Sequence, residues 1–400
     1  MATKTYKAKS VRISVQDVQK ELNASPKWFT IPAASCNVIA SESAETIDII
    51  NGGGEPNATF LNGIDDISGS INFNIQYPLL AFLFGVSIGE ATAVNTTSTD
   101  WTDATVVAVG QVVNGTTPAT DDLVVYAVGG TGTTGATAPD TSTLTDRELV
   151  IDNEVEWAVR KGDLQEWDGS LDPCLQFFAI EVEVEADCAV ETVYFRKIGC
   201  RVGTLGLSFD KNTGILQADM AVIGTIAQTN IKADGTLDTS YEDFSSISGS
   251  TELEIEEEVF VKKGDLDFTL DGNPSEYVES FAITIDNVQE AKNLLSKQNG
   301  ENQKTIYSTG SKSISGTMSA MFDLEIQGSM DGITTKEAII SADSGFGDKF
   351  SLKLPAIKND KSEPDLSTST LMLSPNWAAQ PVSGESALQY SVTALNGTYK

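Results

Sequence analysis

A nine-residue stretch, Glu156-Trp-Ala-Val-Arg-Lys-Gly-Asp-Leu164, returns lightly edited as Glu258-Val-Phe-Val-Lys-Lys-Gly-Asp-Leu266. Two more matches follow in the same order. Phe178-Ala-Ile180 recurs as Phe281-Ala-Ile283, and Gly199-Cys-Arg-Val-Gly-Thr-Leu-Gly-Leu-Ser-Phe-Asp210 as Gly310-Ser-Lys-Ser-Ile-Ser-Gly-Thr-Met-Ser-Ala-Met-Phe-Asp323. The spacing between copies drifts by small insertions, but the order is kept. An ordered series of matches is much harder to produce by chance than one hexapeptide. It predicts a duplicated β-rich unit, and duplication within a chain serves stacking or pseudo-symmetric assembly more readily than catalysis.

At 400 residues the chain is too long for one ordinary domain. It contains no run near the roughly 18 apolar residues a membrane span needs. The first residues carry no apolar signal core, so the expectation is a soluble protein made in the cytoplasm. Histidine is absent altogether. That removes Ser-His-Asp and Cys-His machinery and the commonest zinc ligand, and no catalytic residue, metal or cofactor is expected. The four cysteines, Cys36, Cys174, Cys188 and Cys200, form no C-x-x-C pair and read as reduced thiols. A net charge of −31 argues against tight nucleic-acid binding, because such a surface repels phosphate. It fits either plain solubility or a surface that sits beside DNA without sticking.

Along the chain, residues 1–35 read as an N-terminal arm with a short helix over 15–22. From Cys36 the period changes to two, with strands over 46–50 and 67–75. Pro78-Leu-Leu-Ala-Phe-Leu-Phe-Gly85 predicts a short helix with Pro in its first turn and Gly closing it. Residues 91–149 hold many Thr, Gly and Ala but also good strands over 104–109 and 122–128, so they read as an inserted β module. Strands resume over 179–185 and 215–223, joined to a hairpin turn at Asp210-Lys-Asn-Thr-Gly214. A polar linker over 227–243 separates the halves. In the second half, Asp286 is expected to cap a helix over 288–295, with strands over 313–322, 349–354 and 388–394. The pattern is mainly β: two tandem sandwich or barrel domains, each with a short helix, over 36–90 with 150–226 and over 244–400.

Two strands carry glutamates at alternate positions: Glu181, Glu183 and Glu185, and Glu252, Glu254 and Glu256. Residues i and i+2 share a strand face, so successive carboxylates lie about 7 Å apart. Unpaired burial would cost several kcal/mol per charge, so both faces are expected to be wet. They suit either an ordinary solvated face or the wall of a water-filled anionic channel. Paired carboxylates also serve glycoside hydrolysis, but acidic pairs are unavoidable by chance here and aromatic platforms are sparse. Asp210-x-Asn212-x-Gly214 departs from calcium-loop spacing and reads as a tight turn.

Ile67-Ser-Gly-Ser-Ile-Asn-Phe73 followed by the 78–85 helix resembles the tail tube proteins of long-tailed bacteriophages. So do Val202-Gly-Thr-Leu-Gly-Leu-Ser-Phe-Asp210 followed by Gly214-Ile-Leu-Gln-Ala-Asp-Met-Ala-Val-Ile-Gly-Thr225, and Ser280-Phe-Ala-Ile-Thr-Ile-Asp-Asn287, Ser313-Ile-Ser-Gly-Thr-Met-Ser-Ala-Met-Phe-Asp323 and Leu352-Lys-Leu-Pro-Ala-Ile357. The likeness covers residues 36–90 and 150–400. It implies a non-enzymatic virion protein whose copies form stacked rings around an acidic lumen that conducts genomic DNA without specific binding. The two glutamate arrays become candidates for that lumen. Self-association is the expected partnership, as a trimer with pseudo-sixfold symmetry or a hexamer, with tail terminator, baseplate and tape-measure proteins as neighbours. The rival readings are another tail component, such as a terminator or baseplate hub, and a non-viral surface β-sandwich that binds ligands. Set beside that resemblance, the Arg160-Lys-Gly-Asp163 and Lys262-Lys-Gly-Asp265 turns read as matching hairpins and not as sites.

Overall fold

The period of two becomes strand almost throughout. The computed structural model describes residues 6–42, 45–49, 57–61, 65–94, 99–115, 118–126, 131–172, 174–186, 191–210, 212–232, 234–253, 259–274, 278–298, 301–321, 335–360, 363, 365 and 371–395. Among these it is mainly β, with one α-helix and no closed barrel. In chain order the elements that matter here are β1 (Tyr6–Gln16), β2 (Lys27–Ile31), β3 (Asp65–Asn74) and α1 (Tyr77–Ser87). They are followed by β4 (Leu164–Ser170), β5 (Phe177–Ala186), β6 (Thr192–Asp210), β7 (Gln217–Gly224) and β8 (Ile226–Thr229). The last four are β9 (Val278–Asp286), β10 (Ser313–Met321), β11 (Lys349–Asn359) and β12 (Gln389–Leu395).

The 19-residue β6 belongs to two sheets. Its first half pairs with β5 and β8, and β5 pairs in turn with β1, and β1 with β2. Its second half lies between β7 and β9, with β3 beyond β7 and β10 beyond β9. The short strand Asn376–Ala379 links β10 to β11, and β11 continues through β12 to β4. The change of sheet falls at Gly199, with φ +65; a Cβ there would stand 2.0 Å from the Gln19 carbonyl oxygen. Only glycine tolerates both the left-handed backbone and that approach.

Helix α1 is apolar on every side because sheets surround it. Residues i and i+2 of a helix point to nearly opposite sides, and Phe82 and Phe84 use that geometry. Phe82 meets Phe29 and Phe178 edge-on at 4.8 and 5.9 Å, in the first sheet. Phe84 meets Phe350 and Tyr390 at 6.1 and 5.3 Å, in the strands of the second half. One core cluster therefore runs through both halves. The helix continues two residues past Gly85, which does not close it.

Several expectations need correction. The 15–22 helix is absent: Val11, Ile13 and Val15 alternate inward along β1, which pairs with β5 over its length. The expected arm is thus part of a sheet. The helix over 288–295 is instead the strand Gln289–Gln298, paired with Glu301–Ser308. Asp286 Oδ1 accepts the Val288 amide, and Val288 takes φ +47, which turns the chain into a hairpin rather than a helix. The Arg160–Asp163 and Lys262–Asp265 turns are not hairpins. The strand Val155–Arg160 and β4 pair with different partners, and residues 263–265 form a 3-10 turn before Leu266–Leu270. The first turn is a corner between the five-stranded sheet and the large one.

The expected insertion forms a five-stranded sheet that also recruits Val155–Arg160, around a separate core containing Trp157. Both Trp101 and Trp157 donate their indole N–H to Asp152 Oδ2, at 3.1 and 3.2 Å. Arg160, almost fully buried, ties this module to the main body through Asp146 and Asp348.

Candidate functional site

The first glutamate array lies on β5, with β1 on one side and β6 on the other. Its register pairs Arg12 with Glu181 across one ladder and Arg196 with Glu181 across the other. Arg196 donates to one oxygen, Glu181 Oε2, from both Nε at 3.0 Å and Nη2 at 2.5 Å. The Phe244 amide donates to Oε1 at 3.0 Å. Arg12 bridges Glu183 at 2.6 Å, Asp243 at 3.0 Å and Glu181 at 3.5 Å. Lys9 reaches Glu183 and Glu185 at 3.0 and 2.6 Å.

The glutamate face is therefore not a bare wall. The Glu181 side chain is 0% exposed and Glu183 5%, while Glu185 at 49% remains at the surface. The expectation of a wet face fails for Glu181 and Glu183 because each carboxylate has an arginine partner. What covers them is the segment expected as a polar linker. Phe244 packs with Trp28, Ala179 and Ile198, and the Glu242 carbonyl accepts from Arg196. The Arg196 guanidinium also lies over the rings of Tyr241 and Phe244 at 4.9 and 4.8 Å.

Burial pushes the Glu181 carboxyl up, against Arg196 and the Phe244 amide, which hold it down. For Asp243 burial also pushes upward, but the Ser245 and Ser246 hydroxyls and Arg12 outweigh it and hold the group below its ordinary range. For Arg12 the burial that would lower its value is outweighed by Glu183 and Glu181, so its charge is held more firmly. The arrangement is a charge knot whose charged groups face one another, with the Arg12 Nε buried and unpartnered among the described residues. Chemically it can lock the 241–247 segment onto the sheet.

In the second array, Glu252 is exposed on the short strand Thr251–Glu252, which pairs in parallel with β2 at the sheet margin. Glu254 and Glu256 lie outside the described residues. Cys36, Cys174 and Cys200 are free thiols, and Cys188 lies outside the described residues. At the Asp210 turn, the Asp210 carboxylate accepts the Asn212 amide and Gly214 adopts φ +67, as a tight turn requires. No cluster of metal-ligating side chains occurs among the described residues, nor a helix long and apolar enough to cross a membrane.

Two hairpins stand apart from the large sheets. Glu45–Ile49 pairs only with Asn57–Leu61, and Gln289–Gln298 only with Glu301–Ser308, among the described residues. Beside the first, Ile39 is 63% exposed and lines an apolar trough with Val182, Phe195 and Ala227. The sequence did not reveal Arg12 and Arg196 as partners of the glutamates. The available signal was the Lys7, Lys9 and Arg12 series on β1, a cationic strand matching an acidic one. No family model matches the chain, and no curated protein matches its sequence.

Proposed function

We propose that the chain is a structural subunit that assembles with copies of itself into stacked rings, forming a tail tube of the bacteriophage type through which DNA passes. The observation that carries this reading is the pair of two-stranded hairpins whose strands join no larger sheet among the described residues. An isolated hairpin is marginal in water and leaves backbone donors and acceptors along both outer edges. Pairing those edges with a neighbour satisfies them, as strand addition does in other assemblies. The trough at Ile39 and Phe195 adds apolar surface to bury in the same contact.

The duplication fits a ring of three chains with pseudo-sixfold symmetry. β6 and β10, which carry the matched stretches, flank one strand, β9, so the two copies form adjacent parts of one wall. An acidic passage then draws on exposed carboxylates and the net charge of −31, not on Glu181 and Glu183. Such a wall leaves DNA mobile, because no cationic contacts release counterions from it.

Negative-stain electron microscopy of the purified protein, over a range of concentration and salt, tests the proposal. Rings or hollow tubes are expected, and added salt promotes them by screening like-charged subunits. A species that stays monomeric under every condition overturns it.

A further inference from the structure

Arg201 differs from the chain's other four arginines. Arg12, Arg147, Arg160 and Arg196 each stand within ion-pair distance of an aspartate or glutamate. Arg201 has no such partner among the described residues, in a chain with 57 acidic side chains. Its guanidinium lies 3.9 Å over the Phe177 ring. Its Nη1 makes a long contact of 3.4 Å to the neutral Gln289 Oε1, and its Nε is buried with no hydrogen-bond partner.

A second cation lies at the same end of the sheet. Thr204, Asp286 and Ser313 are in register across β6, β9 and β10. Because β6 and β10 both run antiparallel to β9, they run the same way. Arg201 lies three residues before Thr204, midway along β6, and Lys312 one residue before Ser313, so both cations lie toward the same end of this shared register. Lys312 Nζ donates to the Ile88 carbonyl oxygen at 3.0 Å, at the C-terminal cap of α1. It too has no carboxylate within ion-pair distance among the described residues. Asp172 is the carboxylate that faces it, but Asp172 Oδ1 accepts the Cys174 amide at 2.7 Å.

We propose that Arg201 and Lys312 form an oxyanion-binding site, taking a carboxylate or phosphate group between them. Each cation alone has a structural explanation: stacking on an aromatic ring for Arg201, and capping of a helix C-terminus for Lys312. Neither explains why two half-buried like charges share one end of the sheet with a single carboxylate, Asp172, that acts on Lys312 and forms no ion pair with either. Such an arrangement costs free energy that a bound anion returns, and a guanidinium beside an ammonium is a fitting receptor for an oxyanion. The neighbourhood agrees: burial, then the nearby Arg201 charge, bring Lys312 down to about 8 against the pull of Asp172 and Cys174.

Competitive acetylation of the full-length protein, read at Lys312 by peptide mass spectrometry, tests the site without reference to tube assembly. Inorganic phosphate is the probe. Bound phosphate raises the Lys312 value, and at pH near 8 the first unit of rise slows labelling about fivefold and each further unit about tenfold. Arg201→Gln is expected to remove this phosphate dependence. Protection that instead grows with protein concentration in phosphate-free buffer assigns the anion to a carboxylate of a second copy. Labelling that responds to neither phosphate nor protein concentration overturns the site, as does equal phosphate sensitivity in Arg201→Gln. If Arg201→Gln does not fold, calorimetric phosphate titration of Lys312→Met decides: undiminished binding relative to the unaltered protein overturns the proposal.

Discussion

The two glutamate strands carry the same alternating pattern and meet opposite fates. Glu181 and Glu183 lie on β5, inside a sheet, where β1 and β6 bring Arg12 and Arg196 to them and the 241–247 segment covers them. Glu252 lies at a margin, exposed, on a strand of two residues. Alternation sets which residues share a face; neighbours decide whether that face is wet. A buried carboxylate is tolerable where both of its oxygens meet donors, and Glu181 satisfies this: Arg196 donates twice to Oε2 and the Phe244 amide donates to Oε1.

The comparison breaks most sharply at Glu181. Glu181→Gln leaves Arg196 buried against a neutral amide, and removing one partner of a buried pair costs about 3–5 kcal/mol. Urea unfolding measures this loss. An unchanged midpoint would mean that the face is solvated after all.

A smaller effect comes from Asp243→Asn, read as stability against pH. The folded value of Asp243 is depressed, so its contribution is present above its ordinary value of 3.8 and is lost as pH falls through the depressed value. Asp243→Asn should therefore be less stable at neutral pH and show a flatter loss on acidification. An acid limb identical to that of the unaltered protein would remove Asp243 from the knot. The smallest effect belongs to the exposed ends of the arrays. Glu185→Gln and Glu252→Gln should leave the urea midpoint within experimental scatter, and a clear shift in either would show that exposure alone does not separate the two classes.

Local signals carried much of the fold. The alternation at 67–75, the Pro78 start of α1 and the Asp210–Gly214 turn all became what their residues predicted. The failures share a cause. Residues 15–22 and 288–295 have helix-compatible spacing, yet Val15 and Gln16 pair with β5 and Val18 bridges Glu21 across a turn, and the Asp286–Val288 turn sends the second segment into a hairpin. Tertiary pairing overrode weak propensity. The charge knot was hidden for a similar reason. Arg12 and Glu181 are remote in sequence, and only the β1–β5 register makes them neighbours. The segment over 227–243 looked polar enough to be a spacer, but Phe244 at its end is fully buried and draws Tyr241 and Asp243 onto the sheet.

The shared strand β6 has a mechanical consequence. Nineteen residues in extended form span about 60 Å, and hydrogen-bonded neighbours flank the strand along both halves. A pull along its axis loads many ladder bonds in shear at once, so they share the tension instead of opening one after another as in a zipper. A tension member that runs through both sheets transmits strain between them with little stretch. In a hollow column of such subunits, stiffness under bending would come from the strand that crosses the corner at Gly199.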